Sequence, residues 1–180
     1  MTVRTVVLGG ARSGKSAYAE GLLATVAVRY VATARRDRND PEWTDRIAAH
    51  VARRPASWRT IEAADPAELA SLLRAATPAD APILVDDVAT WLTNALDDTG
   101  AWTASPAPAT LAGLVDGLVS AVLDCRTRLV LVSAEVGLGV VPETRSGRLF
   151  RDELGALNAR LAQACDEVLL LVAGIAMKLR

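Results

Sequence analysis

The sequence predicts a three-layer α/β fold: a mostly parallel sheet with helices on both faces and an antiparallel hairpin near the C-terminal end. Three observations carry this. Short apolar runs rich in β-branched residues alternate with helical patterns along the 180 residues. The first run leads through a glycine-rich loop, Gly9-Gly-Ala-Arg-Ser-Gly-Lys-Ser16, into the first helical stretch. The last two runs are separated only by Ala173-Gly174, short enough for a hairpin.

Taken in order, the strand-like runs are Val3–Leu8, Val28–Thr33, Ile83–Asp87, Leu129–Ser133, Val168–Val172 and Ile175–Leu179. Continuous apolar runs of this length suit strands buried on both faces. The helical stretches are 15–26, 41–53, 67–76, 88–97, 109–124 and 144–164. Strand followed by helix, repeated, means a parallel sheet with crossover helices. Two stretches break the pattern. Arg35–Pro41 is highly charged and is expected to be a mobile loop, and the turn-rich Asp97–Pro108 is expected to be an exposed connection. No internal repeat or domain boundary is evident, so residues 1–180 are expected to form a single nucleotide-binding domain.

The loop from Gly9 to Ser16 fits G-x-x-x-x-G-K-[ST], the phosphate loop (P-loop) of NTPases. Its glycines let the backbone of Gly9, Gly10, Ala11, Arg12, Ser13 and Gly14 turn tightly and aim N–H groups at phosphate oxygens. Lys15 reaches the β- and γ-phosphates, and the Ser16 hydroxyl is a ligand for Mg²⁺. Of 20 basic residues only Lys15 and Lys178 are lysine, so a lysine in this loop looks demanded by the site. The order strand, P-loop, helix places the nucleotide at the carboxyl ends of the strands.

Other residues are expected near that edge. The run Ile83–Val85 ends in Asp86 and Asp87. Such an Asp holds Mg²⁺ across the cleft from the P-loop; Asp86 is the first choice and Asp87 the second. Adjacent strand residues point to opposite faces, so one of the two can instead cap the helix that follows. Thr33, Ala34 and Arg35 follow the second strand run and, with Arg12, are expected to face the nucleotide. His50 is the only histidine in the chain. It shares a helix face with Arg46 and Arg53, which suits anion binding and a neutral imidazole. The residues alone do not lift His50 above a surface histidine. The Gly-rich Glu135–Gly139 follows a strand run at the same edge.

Composition bounds the function. A net charge of −1 and a pI near 5.9 give no global basic field for nucleic acid or an anionic membrane. No apolar run reaches the ~18 residues needed to span a bilayer. Val3–Leu8 is too short for a secretory core, so a cytoplasmic protein is expected. Cys125 and Cys165 lack metal or redox spacing and are expected to be buried free thiols.

These pieces together resemble the bifunctional adenosylcobinamide kinase/adenosylcobinamide-phosphate guanylyltransferases of cobalamin biosynthesis, nearly end to end. The resemblance is carried by the P-loop, Tyr30-Val-Ala-Thr33, Arg46-Ile-Ala-Ala-His50, Arg54-Pro-Ala-Ser-Trp-Arg-Thr60 with Glu62, and Leu84-Val-Asp86. It continues through Thr93-Asn94, Glu135-Val-Gly-Leu-Gly-Val-Val-Pro-Glu143, Phe150-Arg-Asp152 and Asn158. The resemblance implies a RecA-like P-loop fold and a homotrimer with sites near subunit borders. It implies two reactions: phosphorylation of adenosylcobinamide by GTP or ATP, and transfer of GMP from GTP to adenosylcobinamide phosphate, both with Mg²⁺. It implies that His50 carries GMP as a phosphoramidate, and that Arg53, Arg54, Pro55 and Glu62 lie near the guanine nucleotide. The family usually has Asn where this chain has Ala134, and the stretch after Asn94 is reduced and Ala/Pro-rich here. The alternative is a P-loop small-molecule kinase without guanylyl transfer.

Overall fold

The computed structural model describes residues 2–24, 26–35 and 55–180. The predicted helix over 41–53, with His50, Arg46 and Arg53, and the expected loop beyond Arg35 lie outside the described residues. The strands are β1 (Arg4–Gly9), β2 (Arg29–Ala32), β3 (Arg59–Glu62), β4 (Ile83–Asp86), β5 (Leu129–Ala134), β6 (Glu167–Val172) and β7 (Ile175–Lys178). The helices are α1 (Lys15–Gly21), α2 (Pro66–Ala75), α3 (Val88–Asp98), α4 (Ala109–Asp124) and α5 (Arg145–Ala164). One seven-stranded sheet has the order β3-β2-β4-β5-β1-β6-β7. All neighbours are parallel except β6 and β7, which form the expected antiparallel hairpin.

Alternation of side chains along the strands divides the core into two layers. Val6, Leu8, Val85, Leu131 and Val168 face α2, α3, α4 and α5. Val7, Tyr30, Leu84, Val130, Val132 and Leu171 face α1 and Trp58. The central strands read as unbroken apolar runs because both faces are covered. No helix among the described residues is long and apolar enough to cross a membrane.

Two elements differ from expectation. β3 was not anticipated, because Arg59-Thr-Ile-Glu62 has no apolar run. It is an edge strand, paired only with β2, and only Ile61 is half-buried. Helix α1 ends at Gly21 rather than near residue 26. Gly21 weakens the helix, and Leu22–Ala24 continue as turns, despite good helix propensity, before the chain leaves for β2.

The caps are built from sequence. Asp65 accepts from Ala67 N at 2.8 Å ahead of Pro66 in α2, and Thr144 accepts from Gly147 N at 3.1 Å in α5. Both cysteines are buried free thiols, as expected.

Candidate functional site

The P-loop leaves β1 at Gly9 and enters α1 at Lys15. Gly9 has to be glycine: a Cβ there would lie 2.4 Å from Ser13 Oγ and 2.9 Å from the Leu171 carbonyl. Gly14 caps the helix with φ +87, the left-handed region that disfavours side chains. The loop is fastened below by Gly174 N donating to Ser13 O (3.0 Å) and beside by Glu135 N donating to Gly9 O (3.0 Å). Lys15 Nζ donates to the Gly10 carbonyl at 3.3 Å, which keeps its ammonium over the loop.

Asp86, the last residue of β4, faces the same side of the sheet as α1. Ser16 Oγ donates to Asp86 Oδ1 at 3.2 Å, and Tyr30 Oη donates to Asp86 Oδ2 at 2.6 Å. Asp87 turns the other way and caps α3, its Oδ1 accepting from Thr90 N at 2.6 Å. Of the two carboxylates, Asp86 meets the P-loop and Asp87 is the helix cap.

A hydroxyl and a carboxylate converging at one point are hard oxygen donors. That set fits Mg²⁺, which takes one or two protein ligands and completes its shell with water and phosphate. Among the described residues no three His, Cys, Asp or Glu side chains gather into a metal cage.

The remaining expected residues are distributed as follows. Gly10, Ala11, Arg12 and Ser13 form the loop, with Arg12 exposed at φ 57 and Ser13 buried beneath it. Thr33 is fully buried, and its hydroxyl is committed to the Asp87 backbone, donating to O (2.8 Å) and accepting from N (3.2 Å). Its side chain therefore ties the end of β2 to that of β4. Ala34 follows, half-buried. Arg35 pairs with Asp98 at 2.6 Å, a hydrogen bond that raises its guanidinium pKa; the structure ties it to the far end of α3. Glu62 ends β3 in register with Ala32, which is in register with Asp86. Glu62 is thus on the same sheet edge, two strand spacings or about 10 Å from Asp86. Pro55 is exposed, and its carbonyl accepts from Trp58 N at 2.9 Å. His50, Arg53 and Arg54 lie outside the described residues.

Three residues that hold the site together carry the family resemblance but were given no site role from the sequence. Tyr30 orients Asp86. Asn94, buried in α3, donates to the carbonyls of Thr33 (2.8 Å) and Ala64 (3.2 Å). Asn158, buried in α5, accepts from Ser133 Oγ at 2.6 Å and donates to the Ala134 carbonyl at 2.9 Å. Polar residues at apolar-face positions of two helices were the available signal for the asparagines.

The family profile for cobinamide kinase/cobinamide phosphate guanyltransferase, CobU, matches residues 5–179. The chain belongs to this family. Three relatives are similar over nearly full length. The bifunctional adenosylcobalamin biosynthesis protein CobP of Pseudomonas aeruginosa PAO1 is 43% identical, covering 99% of this chain and 98% of the relative. The bifunctional adenosylcobalamin biosynthesis proteins CobU of Salmonella typhimurium LT2 and Escherichia coli K12 are 40% and 38% identical, each covering 97% of this chain and 98% of its own.

Among solved structures, a prototypical ATPase from the type III secretion system of pathogenic bacteria matches with TM-score 0.58 and 11% identity, over 94% of this chain and 51% of that one. The CobU-family chain thus spans about half of that ATPase, and the likeness is one of fold. A Pyrococcus horikoshii OT3 protein matches with TM-score 0.50 and 8% identity, over 99% of this chain and 87% of its own.

Proposed function

We propose that the chain phosphorylates adenosylcobinamide with a nucleoside triphosphate and then transfers GMP from GTP to the resulting phosphate, releasing pyrophosphate. The observation that carries the reading is the convergence of Lys15, Ser16 and Asp86 at one sheet edge, in a chain that matches the family over nearly its full length.

In phosphorylation, the acceptor hydroxyl attacks the γ-phosphorus, the bond to the β-phosphate oxygen breaks, and the nucleoside diphosphate leaves. The P-loop N–H groups and Lys15 steady the phosphate chain, while Ser16 and Asp86 hold Mg²⁺. When bound, Mg²⁺ neutralises charge on the phosphate oxygens. Tyr30 donates to one Asp86 oxygen and fixes the direction of the other.

In guanylyl transfer, a His50 nitrogen attacks the α-phosphorus of GTP, a P–N bond forms, and pyrophosphate departs. A phosphate oxygen of the acceptor then attacks the same phosphorus and frees the histidine. The relay divides one displacement into two. The role of His50, and of Arg53, Arg54, Pro55 and Glu62 around the guanine nucleotide, follows from the family resemblance. The same resemblance supports a homotrimer. The exposed side chains of Val172, Ile175, Met177 and Leu179 offer apolar surface for such an association.

The test is an assay of both reactions with purified protein, Mg²⁺, adenosylcobinamide and its phosphate, in wild type and Lys15→Ala. Both products are expected from wild type, and both rates should fall together, on the order of 100-fold or more, in the variant. Full activity of Lys15→Ala in either reaction would refute the shared triphosphate grip.

A further inference from the structure

Arg151 lies on the inner face of α5. Gly147, Arg151, Leu154 and Asn158 recur along that face at helical spacing. Leu154 is fully buried, and Asn158 is pinned to the end of β5. Arg151 is seven residues before Asn158, which at 1.5 Å per residue puts it about 10 Å further along the strand direction. That is past the level of Ala134, at the edge where the 135–143 loop leaves β5. Gly147, one turn earlier, touches this loop: a Cβ there would come within 2.8 Å of Pro142 Cβ.

The arginines of this helix end are treated differently. Arg145 donates to the carbonyls of Trp102 and Ala104. Arg148 donates to those of Pro142 (3.1 Å) and Glu143 (2.6 Å). Arg151 Nη1 is buried without any hydrogen-bond partner, and no ion pair engages Arg151 among the described residues. Arg151 itself is half-buried, so part of its guanidinium stays accessible while one nitrogen goes unpaired; buried donors are almost always satisfied, and leaving one without an acceptor costs stability. Such a group at the nucleotide edge calls for an acceptor that arrives with a ligand.

Asp86, Ser16 and Tyr30 lie on the α1 face of the sheet, and Arg151 lies on the other. The β1–β5 pair stands between them, joined at Gly9 and Ala134. Leu138, Val140 and Val141 of the adjoining loop are exposed, at 81%, 94% and 60%.

We propose that Arg151 binds a phosphate oxyanion that reaches the P-loop edge from the α5 side. Two phosphates meet at this edge, that of the acceptor and the terminal one of the nucleotide. The acceptor's is favoured, because the nucleotide is gripped from the α1 face. The exposed apolar loop at the same edge also suits a corrin ring with a methyl-rich rim. The choice of acceptor rests on the function proposed above.

The experiment compares wild type, Arg151→Met and Arg151→Lys as full chains. Without ligand, Arg151→Met should melt at or above the wild-type temperature, since it removes a buried donor nitrogen that has no acceptor. In guanylyl transfer its KM for cobinamide phosphate should rise about tenfold or more, the worth of one charge-assisted bond, with partial recovery in Arg151→Lys. KM for unphosphorylated cobinamide should hold. A rise in KM for GTP instead would assign the oxyanion to the nucleotide and keep the anion site. Unchanged KM values, or a lowered melting temperature with uniform loss of activity, would overturn the proposal. If the protein accepts no cobinamide, the function proposed above fails. Inorganic phosphate then still decides on Arg151: it should raise the melting temperature of wild type more than that of Arg151→Met, and equal shifts would sink the site.

Discussion

Asp86 and Asp87 are chemically identical and adjacent, yet the fold gives them separate work. Asp86 receives Ser16 and Tyr30, and Asp87 caps α3. Substitutions should separate them. Tyr30→Phe leaves one Asp86 oxygen without its donor and should raise the Mg²⁺ needed for half-maximal rate about 10- to 100-fold, as loss of an outer partner of a metal ligand does. Asp87→Ala should leave the Mg²⁺ titration unchanged and lower stability by about 1 kcal/mol through loss of the cap. Magnesium titrations and urea melts on both variants check this. Equal Mg²⁺ curves for wild type and Tyr30→Phe would remove Tyr30 from the site. The sequence made both aspartates visible but could not divide them, because the division depends on where β4 stops and α3 starts. Tyr30 was invisible as a site residue for a similar reason. Its partner lies 56 positions away and is met only through the β2–β4 register.

At the scale of elements, the strands that carry the site were legible because they are buried on both faces and apolar throughout. β3 was not, because an edge strand with one neighbour has no need of an apolar run. The end of α1 was misjudged by a few residues, because Leu22–Ala24 keep good helix propensity where the fold turns instead. Helix α5 does more than cover the sheet. Asn158 satisfies Ser133 and the Ala134 carbonyl, so it fixes where β5 releases the loop at Glu135. Asn158→Leu keeps the branched outline but deprives the buried Ser133 hydroxyl and the part-buried Ala134 carbonyl of this partner. It should cost about 2–4 kcal/mol, counting roughly 1–2 for each group. Chemical unfolding measures this. A loss below about 0.5 kcal/mol would show that β5 ends there without the helix's help.

At the scale of the whole molecule, the two thiols link stability to alkaline pH. Burial pushes the Cys165 thiol up to about 12, and burial raises Cys125 as well. Both are held neutral by folding, so their contribution is complete below the ordinary thiol range. It is lost as pH rises, when the unfolded chain ionises its thiols before the folded one does. Unfolding free energy should therefore decline from about pH 9 upward, and the decline should be shallower in Cys165→Ala. Identical slopes would show that other groups carry the alkaline loss.

The two-reaction account was legible only through the family resemblance, carried by the Arg46–His50 and Arg54–Thr60 segments together with Glu135–Glu143, while the P-loop and Asp86 also serve many kinases. The covalent relay is therefore its central claim. The most direct measurement incubates wild type and His50→Ala with Mg²⁺ and GTP labelled at the α- or the γ-phosphate. The account predicts acid-labile, base-stable label retained from α-labelled GTP by wild type alone. Retention of that label by His50→Ala, or no retention by wild type that still binds GTP, would contradict it.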